Sequence, residues 1–234
     1  VESQKEKSLW FRSIVSIESS SVDETYNNLE KIYKRNFEKR NRIQKKIDRV
    51  GYDLYDISDR DREVIEETVG IETGDEDEKF GDAIANHDLF SYALGCAFGR
   101  WDIRYVTGER ELPSVAGPFE PLPVCPSGML TGEENLPMRE APDKYPLSDV
   151  PADGILLDDP GHDRDVLSRM RSALGFMFED EDTAEREVCD LLGESDLRRY
   201  FRKTTGFFKA HRKEYSDGRR KAPIYWQLAT QSVD

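Results

Sequence analysis

The chain has 234 residues and a formal net charge of −14, with 37% hydrophobic and 35% charged residues. This length allows one large domain or two small ones, but the hydrophobic fraction is low against the roughly 45–50% of an average globular domain. No apolar run approaches the roughly 20 residues that span a bilayer, and the first residues lack the charged-then-apolar order of a secretory signal. We therefore expect a cytoplasmic protein without a membrane partner.

Charge is distributed unevenly along the chain. The net charge is +4 over residues 1–50, −10 over 51–110, −15 over 111–197 and +7 over 198–234. A polyanion such as DNA would be attracted to the two ends and repelled by the middle. An acidic soluble surface that carries two solvated basic helices is the alternative interpretation.

The cysteines and histidines do not have the spacing of a disulfide framework or a metal site. They are Cys96, Cys125, Cys189, His87, His162 and His211. Because the number of cysteines is odd and no CxxC pair occurs, we expect small buried thiols in a reducing compartment. No two histidines are four residues apart, so we expect helix-end or surface residues rather than metal ligands.

The first predicted element is a long helix that begins after the candidate caps Ser21 and Asp23 and runs to about Val50, where Gly51 breaks it. Its apolar residues recur at steps of three and four, which predicts a narrow stripe packed against one or two partner helices. They are Leu29, Ile32, Tyr33, Phe37, Ile43, Ile47 and Val50. Basic residues crowd the rest of the surface, namely Lys31, Lys34, Arg35, Lys39, Arg40, Arg42, Lys45, Lys46 and Arg49.

Two further helices are predicted before residue 110. Ser58 can cap a helix over Asp59–Val69, and small residues such as Gly95 in a helix over about Ala85–Phe98 would allow a close helix–helix contact. Between them, residues 70–79 (GIETGDEDEK) predict an exposed acidic loop. A calcium loop is disfavoured because these acids lack the alternating ligands and the closing Glu of that motif.

The segment from about Tyr105 to Pro151 is predicted to be irregular, either a linker or a strap over a neighbouring surface. Nine of the eleven prolines lie between Pro113 and Pro151, and a helix interior does not tolerate that density of proline. A short strand at residues 152–159 follows, because its apolar centre has polar flanks.

The predicted helices of the second half cover about Asp163–Phe178, Asp182–Leu192 and Glu194–Lys213, and a β-prone stretch follows them. The expected fold class is therefore mainly α with minor β. We expect three regions: a helical spacer over residues 1–110, a proline-rich linker over 111–151 and a small α+β region over 152–234.

Motifs for catalysis and nucleotide binding are missing from the sequence, which contains neither GxGxxG nor GxxxxGK[ST] nor GxSxG. We therefore expect no catalytic residue in this chain. The remaining candidate site is basic and binds DNA phosphates, with neighbouring aromatic residues for stacking or packing. It consists of Arg198, Arg199, Arg202, Lys203, Lys209, Arg212, Lys213, Arg219, Arg220 and Lys221. We expect the nearby pair Phe207 and Phe208 to face the core.

Two stretches resemble a known family. HDLFSYALGCAFGRWDIR (residues 87–104) resembles the I-S-Y-A-V-G-C-x-F-G-R-Y segment of PglX-type adenine-specific DNA methyltransferases. Those enzymes belong to the phage-defence systems BREX and DISARM and are related to type IIG restriction–modification enzymes. LRRYFRKTTGFFKAHRKEYSDGRRKAPIYWQLAT (residues 197–230) resembles the family's later stretch, in which a basic helix precedes R-P-I-Y-W. Two further segments are similar to sequence motifs of that family, namely VPADGILLDD (residues 150–159) and YDLYDISDRDREVIE (residues 52–66).

The sequence departs from the family in two motifs. The glycine-containing loop that binds S-adenosylmethionine and the N-P-P-[YFW] motif that holds the flipped adenine are both missing. The resemblance therefore implies a fragment beyond the methyl-transfer core, inactive alone and without a cofactor of its own, while S-adenosylmethionine belongs to the parent enzyme. The missing initiator Met and the open end of the last β-prone stretch agree with a fragment, and residues 152–234 would begin the target-recognition part.

The partners that the resemblance implies are duplex DNA, bound through the parent, and the remainder of the methyltransferase. Other defence-system subunits are a further expected partner. Two alternative functions stay open at this point. One is a protein–protein docking module that uses the narrow apolar stripe and the acidic surface, and the other is an acidic mimic of DNA.

Overall fold

The computed structural model describes residues 11, 13–15, 19–69, 87–114, 117, 119–121, 123–132, 136–138, 140–147 and 150–215. Contacts divide the chain into two compact units, Val1–Tyr26 with Asn86–Asp234 and Asn27–Ala85. We call the first the main unit and the second the α1–α2 unit, because it contains most of helix α1 (Val22–Leu54) and all of helix α2 (Asp59–Val69). The three regions expected from composition, with boundaries near residues 110 and 151, stay a prediction.

Of the residues that the structure describes, 55% are helical and 3% lie in β bridges, which confirms the mainly α part of the expected fold class. The helices are α1 Val22–Leu54, α2 Asp59–Val69, α3 over residues 87–97, α4 Arg104–Thr107, α5 Val166–Met177, α6 Glu181–Leu192, α7 Leu197–Arg202 and α8 Phe207–Glu214. None of the helices in the described ranges is both long enough and apolar enough to cross a membrane.

Helix α1 continues past the point where the sequence predicts its end. Its start is as predicted, because the Ser21 hydroxyl accepts a hydrogen bond from the Glu24 N–H at 3.2 Å. Gly51 does not break the helix, and the Tyr55 N–H still donates to the Gly51 carbonyl at 3.1 Å. The left-handed residue that ends α1 is Asp56, with φ 51°. Glycine costs a helix only about 1 kcal/mol, so the terminating turn decides where the helix ends.

Helix α3 forms the centre of the main unit, and every one of its residues is buried. The small residue Gly95 allows a close contact, as predicted, but with a side chain rather than a second helix. A Cβ atom at Gly95 would lie 2.3 Å from Cδ1 of Trp101. The Trp101 ring is fully buried and lies 4.4 Å from the ring of Phe11, centroid to centroid.

The proline-rich segment packs on the main unit, which favours the strap over the linker. Leu130, Tyr145 and Leu147 are buried. The Leu130 N–H donates to the Arg100 carbonyl at 3.0 Å, and the Ile103 N–H donates to the Tyr145 hydroxyl at 3.0 Å. Backbone and hydroxyl groups of the strap thereby satisfy backbone polar groups of the segment after α3, of which Ile103 is buried. Helix α4, of four residues, lies at the start of this segment, where no helix was predicted.

The minor β part of the fold prediction is not confirmed: the described residues contain no strand, and the predicted β-prone stretch over residues 219–230 lies outside them. In the described ranges, β pairing consists of isolated bridges, and in the predicted strand over residues 152–159 only Leu157 takes part, opposite Asp165. A single bridge is too short for a ladder, because a stable sheet needs several paired residues on several strands.

The last predicted helix, Glu194–Lys213, is two helices. Lys203 leaves α7 with extended backbone at φ −75° and ψ 129°. Gly206 then approaches the Tyr200 carbonyl so closely that a Cβ atom would lie 2.1 Å from its oxygen. The chain can turn this tightly only at glycine, and the turn separates α7 from α8.

Candidate nucleic-acid interface

The predicted DNA-binding residues fall into three groups in the structure. Arg198, Arg199 and Arg202 lie on α7, and Lys203 follows its end. Lys209, Arg212 and Lys213 lie on α8 and are exposed. Arg219, Arg220 and Lys221 lie outside the described residues. The sequence prediction therefore joins residues that the structure places on two separate short helices.

Arg198 is held in an ion pair within the main unit. Its two terminal nitrogens donate to Asp165 at 2.9 and 2.7 Å, and one of them also donates to Asp158. The side chain is 15% exposed and that of Asp165 only 5%. The hydrogen bonds from Arg198 lower the pKa of Asp165 and raise that of Arg198, so both stay charged. A phosphate would have to displace this carboxylate.

The other three cations at α7 also face carboxylates of the same unit. Arg202 donates to Asp158 at 2.6 Å, and Lys203 donates to Glu194. Arg199 lies 3.8 Å from Glu194, and its side chain is 65% exposed. These acids neutralise much of the positive charge around α7. Phosphate contact by the predicted set stays a prediction, and the structure defines the ion pairs with which a phosphate competes.

The aromatic residues beside this cluster mostly pack inside the main unit. The ring of Phe207 is buried and lies 5.6 Å from that of Phe90, whereas Phe208 is 66% exposed. The prediction that the Phe pair faces the core is thus correct for Phe207 and wrong for Phe208, because α8 has only one face against α3. The Phe90 ring also contacts Tyr200 and Phe201, at 4.9 and 5.1 Å.

His87 lies at the end of a helix, as predicted, since it is the first described residue of α3, but it is buried in the core rather than at the surface. Its Nδ1 lies 3.4 Å from the Tyr200 hydroxyl, and its ring is 6.5 Å from that of His211, which is half-buried. Burial lowers the pKa of His87 to about 4 and that of His211 to about 4. Both rings are therefore neutral at pH 7. His162 is exposed, as predicted.

The cysteines agree with the expected buried thiols at two positions. Cys96 and Cys189 are buried and Cys125 is partly exposed, and none of the three forms a disulfide. Burial raises the pKa of the Cys189 thiol to about 11, which disfavours the reactive thiolate. Among the residues that the structure describes, His, Cys, Asp and Glu do not form a group of three or more that could hold a metal ion.

A second basic surface lies on α1, and the sequence prediction of the site left it out. At 100° per residue, six of the exposed cations of α1 fall within an arc of about 100° and extend over about 27 Å of helix. We call this set the basic face: Lys31, Lys34, Arg35, Arg42, Lys45 and Arg49. Glu38 lies within the same arc. A helical-wheel projection of the sequence would have found this surface. The projection shows that these basic residues cluster on one side of the helix axis, which the linear sequence does not.

Comparison with known proteins assigns no family to the chain. No protein-family model matches it, and neither does any curated protein or solved structure.

Proposed function

We propose that this chain is a non-catalytic, DNA-associated spacer or recognition region of an adenine-specific (N6) DNA methyltransferase of a restriction–modification or phage-defence system. S-adenosylmethionine and the target adenine would then bind elsewhere in the parent enzyme, which would act in the cytoplasm. The remainder of the methyltransferase is the first expected protein partner, and further defence-system subunits are the second.

One observation carries this proposal. The two stretches that resemble the methyltransferase family, residues 87–104 and 197–230, lie far apart in sequence, but the described part of the second, residues 197–215, shares one aromatic core with the first. Phe90 of the first stretch contacts Tyr200, Phe201 and Phe207 of the second at ring distances of 4.9 to 5.6 Å. Stretches that pack against each other belong to one structural unit. This contact supports the interpretation that the two resemblances reflect one domain of the family rather than two chance matches.

The basic face of α1 is the surface that best supports contact with duplex DNA. It extends over about 27 Å, a length over which duplex DNA carries roughly 16 phosphate charges. Residues 31–50 contain nine Lys and Arg against two acids, Glu38 and Asp48. Near α7, in contrast, Arg198 and Arg202 already face Asp158 and Asp165. We therefore assign the first phosphate contacts to α1 and the weaker ones to α7 and α8.

Binding of a short DNA duplex to the full chain, measured by fluorescence anisotropy at about 50 and 200 mM salt, tests this proposal. A variant with Lys31, Arg35, Arg42 and Arg49 changed to Gln removes four cations of the basic face. Its matched control changes Arg199, Arg202, Lys209 and Arg212 to Gln. Circular dichroism checks that α1 stays helical in both.

We expect affinity to fall steeply with salt and to be the same with and without S-adenosylmethionine. Each lost phosphate contact lowers the slope of log K against log salt by roughly 0.9, so the first variant would lose more than the control. No binding even at low salt would rule out autonomous DNA association. If both variants lost the same amount of DNA affinity, the residues of α7 and α8 would contribute as much to phosphate binding as the basic face does.

A docking function is the second candidate, and a different observation favours it. Large apolar side chains near the end of α1 are exposed, with Leu54 at 74% and Val50 at 65%. Exposed apolar residues that recur on one helix face are typical of a protein-interaction surface.

A further inference from the structure

The last third of α1 carries an apolar seam. Its residues are Ile43, Ile47, Val50 and Leu54, which follow one another at steps of four, three and four. Their exposed fractions are 46%, 58%, 65% and 74%. This spacing is that of alternating d and a positions of a heptad repeat, so all four residues lie along one line of the helix.

The described part of the α1–α2 unit does not cover the seam. Helix α2 meets α1 at the junction, where Arg62 donates to Asp53 at 2.8 Å and lies over the Tyr52 ring. It does not pack along α1. Val64 on α2 is itself 55% exposed. Since an isolated helix gains little stability from propensity alone, an apolar line of this kind is expected to gain its stability from a partner helix.

We propose that the seam pairs with the same seam of a second copy of this chain, in antiparallel orientation. Antiparallel pairing places a positions opposite d positions. Ile43 then lies against Leu54 of the second copy, and Ile47 against Val50 of the second copy. The twofold axis repeats both pairs, so the seam forms four layers, two on each side of the axis, and is complementary to itself.

The charges beside the seam favour the antiparallel orientation. Lys46 precedes Ile47 and comes to lie near Asp53 of the second copy, and the symmetry repeats this attraction on the other side. A parallel pairing would continue the repeat backwards to Arg40 and place it against Arg40 of the second copy. Two guanidinium groups at one buried layer repel each other and lose hydration. In the antiparallel pair Arg40 falls opposite the end of α1 instead.

The pairing leaves the basic face available. The centre of the seam lies about 140° around the helix from the centre of the basic face, at 100° per residue. A dimer therefore presents one basic face on each copy, and dimerisation and DNA binding can each occur without the other. Because four residues per copy form a small interface, we expect a weak dimer that depends on protein concentration.

Sedimentation velocity of the full chain over a range of concentrations tests the pairing. The change Ile47→Asp places a charge in the central layer on both copies and raises the dimer dissociation constant by more than about tenfold. Val64→Asp is the matched control, because it changes an equally exposed apolar residue outside the seam, and it leaves the dimer unchanged. The wild-type dimer persists when salt is raised from about 50 to 500 mM, since burial of apolar surface drives it.

The orientation is tested by disulfide cross-linking in a Cys125→Ser background. A mixture of Ile43→Cys and Leu54→Cys chains forms a cross-linked heterodimer, whereas neither variant alone does. In the antiparallel pair the two copies of residue 43 are about 16 Å apart along the axis, beyond disulfide reach. The proposal is overturned if the wild type stays monomeric at all concentrations, if the Ile47→Asp variant still dimerises, or if Ile43→Cys cross-links with itself.

Discussion

Arg198 and Asp165 form a two-pronged ion pair that joins α7 to the start of α5, with nitrogen–oxygen distances of 2.9 and 2.7 Å. The same carboxylate caps α5 by accepting a hydrogen bond from the Ser168 N–H at 3.1 Å. It also accepts one from the Asp159 N–H at 3.1 Å. One buried carboxylate thus holds the loop before α5, α5 itself and α7. This arrangement gives Arg198 a structural role that its place in a basic cluster did not indicate.

We expect Arg198→Ala to lower the free energy of unfolding by about 3 kcal/mol. The change leaves the carboxylate of Asp165 buried without its cation, which is costly even where the ion pair itself adds little net stability. Arg199→Ala is the control on the same helix, and its exposed side chain should cost less than about 1 kcal/mol. Urea unfolding followed by circular dichroism measures both. Equal stabilities would show that Arg198 is available for a ligand.

Two glycines should respond in opposite directions to the same change. A Cβ atom at Gly95 would lie 2.3 Å from the Trp101 ring, whereas nothing lies within 4 Å of a Cβ atom at Gly51. We expect Gly95→Ala to destabilise the chain by about 2 kcal/mol through overpacking. Gly51→Ala should stabilise it by about 0.5–1 kcal/mol because alanine favours the helix. Thermal unfolding of the two variants separates these outcomes, and a destabilising Gly51→Ala would contradict the continuous α1.

Stability should fall as the pH is lowered from about 6.5 towards 4. Burial lowers the pKa of His87 and His211 to about 4 in the folded state, while an unfolded histidine has a pKa of about 6.5. Below pH 6.5 the unfolded chain binds protons that the folded chain does not, so unfolding is favoured. The stabilising effect is full above 6.5 and is lost progressively towards 4.

The melting temperature measured between pH 7.5 and 4.5 checks this sign. The double variant His87→Leu, His211→Leu should show a weaker dependence of the melting temperature on pH between 7.5 and 4.5. His162→Leu is the control, since His162 is exposed, and it should leave the dependence as it is. A wild-type melting temperature that stays constant down to pH 4.5 would show that both histidines titrate normally.

Tyr145 should fix the proline-rich strap through its hydroxyl. That hydroxyl accepts a hydrogen bond from the Ile103 N–H at 3.0 Å and donates to the Trp101 carbonyl at 3.4 Å, and all three groups are buried. Tyr145→Phe would leave a buried N–H without an acceptor and cost about 1–3 kcal/mol. Tyr55→Phe, at a side chain 77% exposed, is the control and should be neutral. Hydrogen exchange measured at the Ile103 amide locates the effect, because we expect faster exchange in Tyr145→Phe and no change in Tyr55→Phe.

Most of the helices could be predicted from the sequence because local interactions determine them. Helix α2 begins and ends at the predicted residues, and α5 and α6 lie within two or three residues of the prediction. Each has a polar N-cap and an apolar period of 3.6 residues, and both signals act over a few neighbouring positions. The end of α1 was missed because two local signals, Gly51 and the turn at Asp56, lie close together and only one of them terminates the helix.

The tertiary structure decided which charges remain available for a partner. Sequence alone identifies Arg198 and Arg42 equally as basic helical residues, yet the first faces a carboxylate 33 positions away in the chain and the second is exposed. Likewise, the Tyr200 hydroxyl that lies near His87 belongs to a residue 113 positions further on. Helical periodicity is a property of neighbouring residues, and so the sequence determines it. Ion pairing and burial depend on residues that folding brings together from distant positions, and only the folded chain determines those partners.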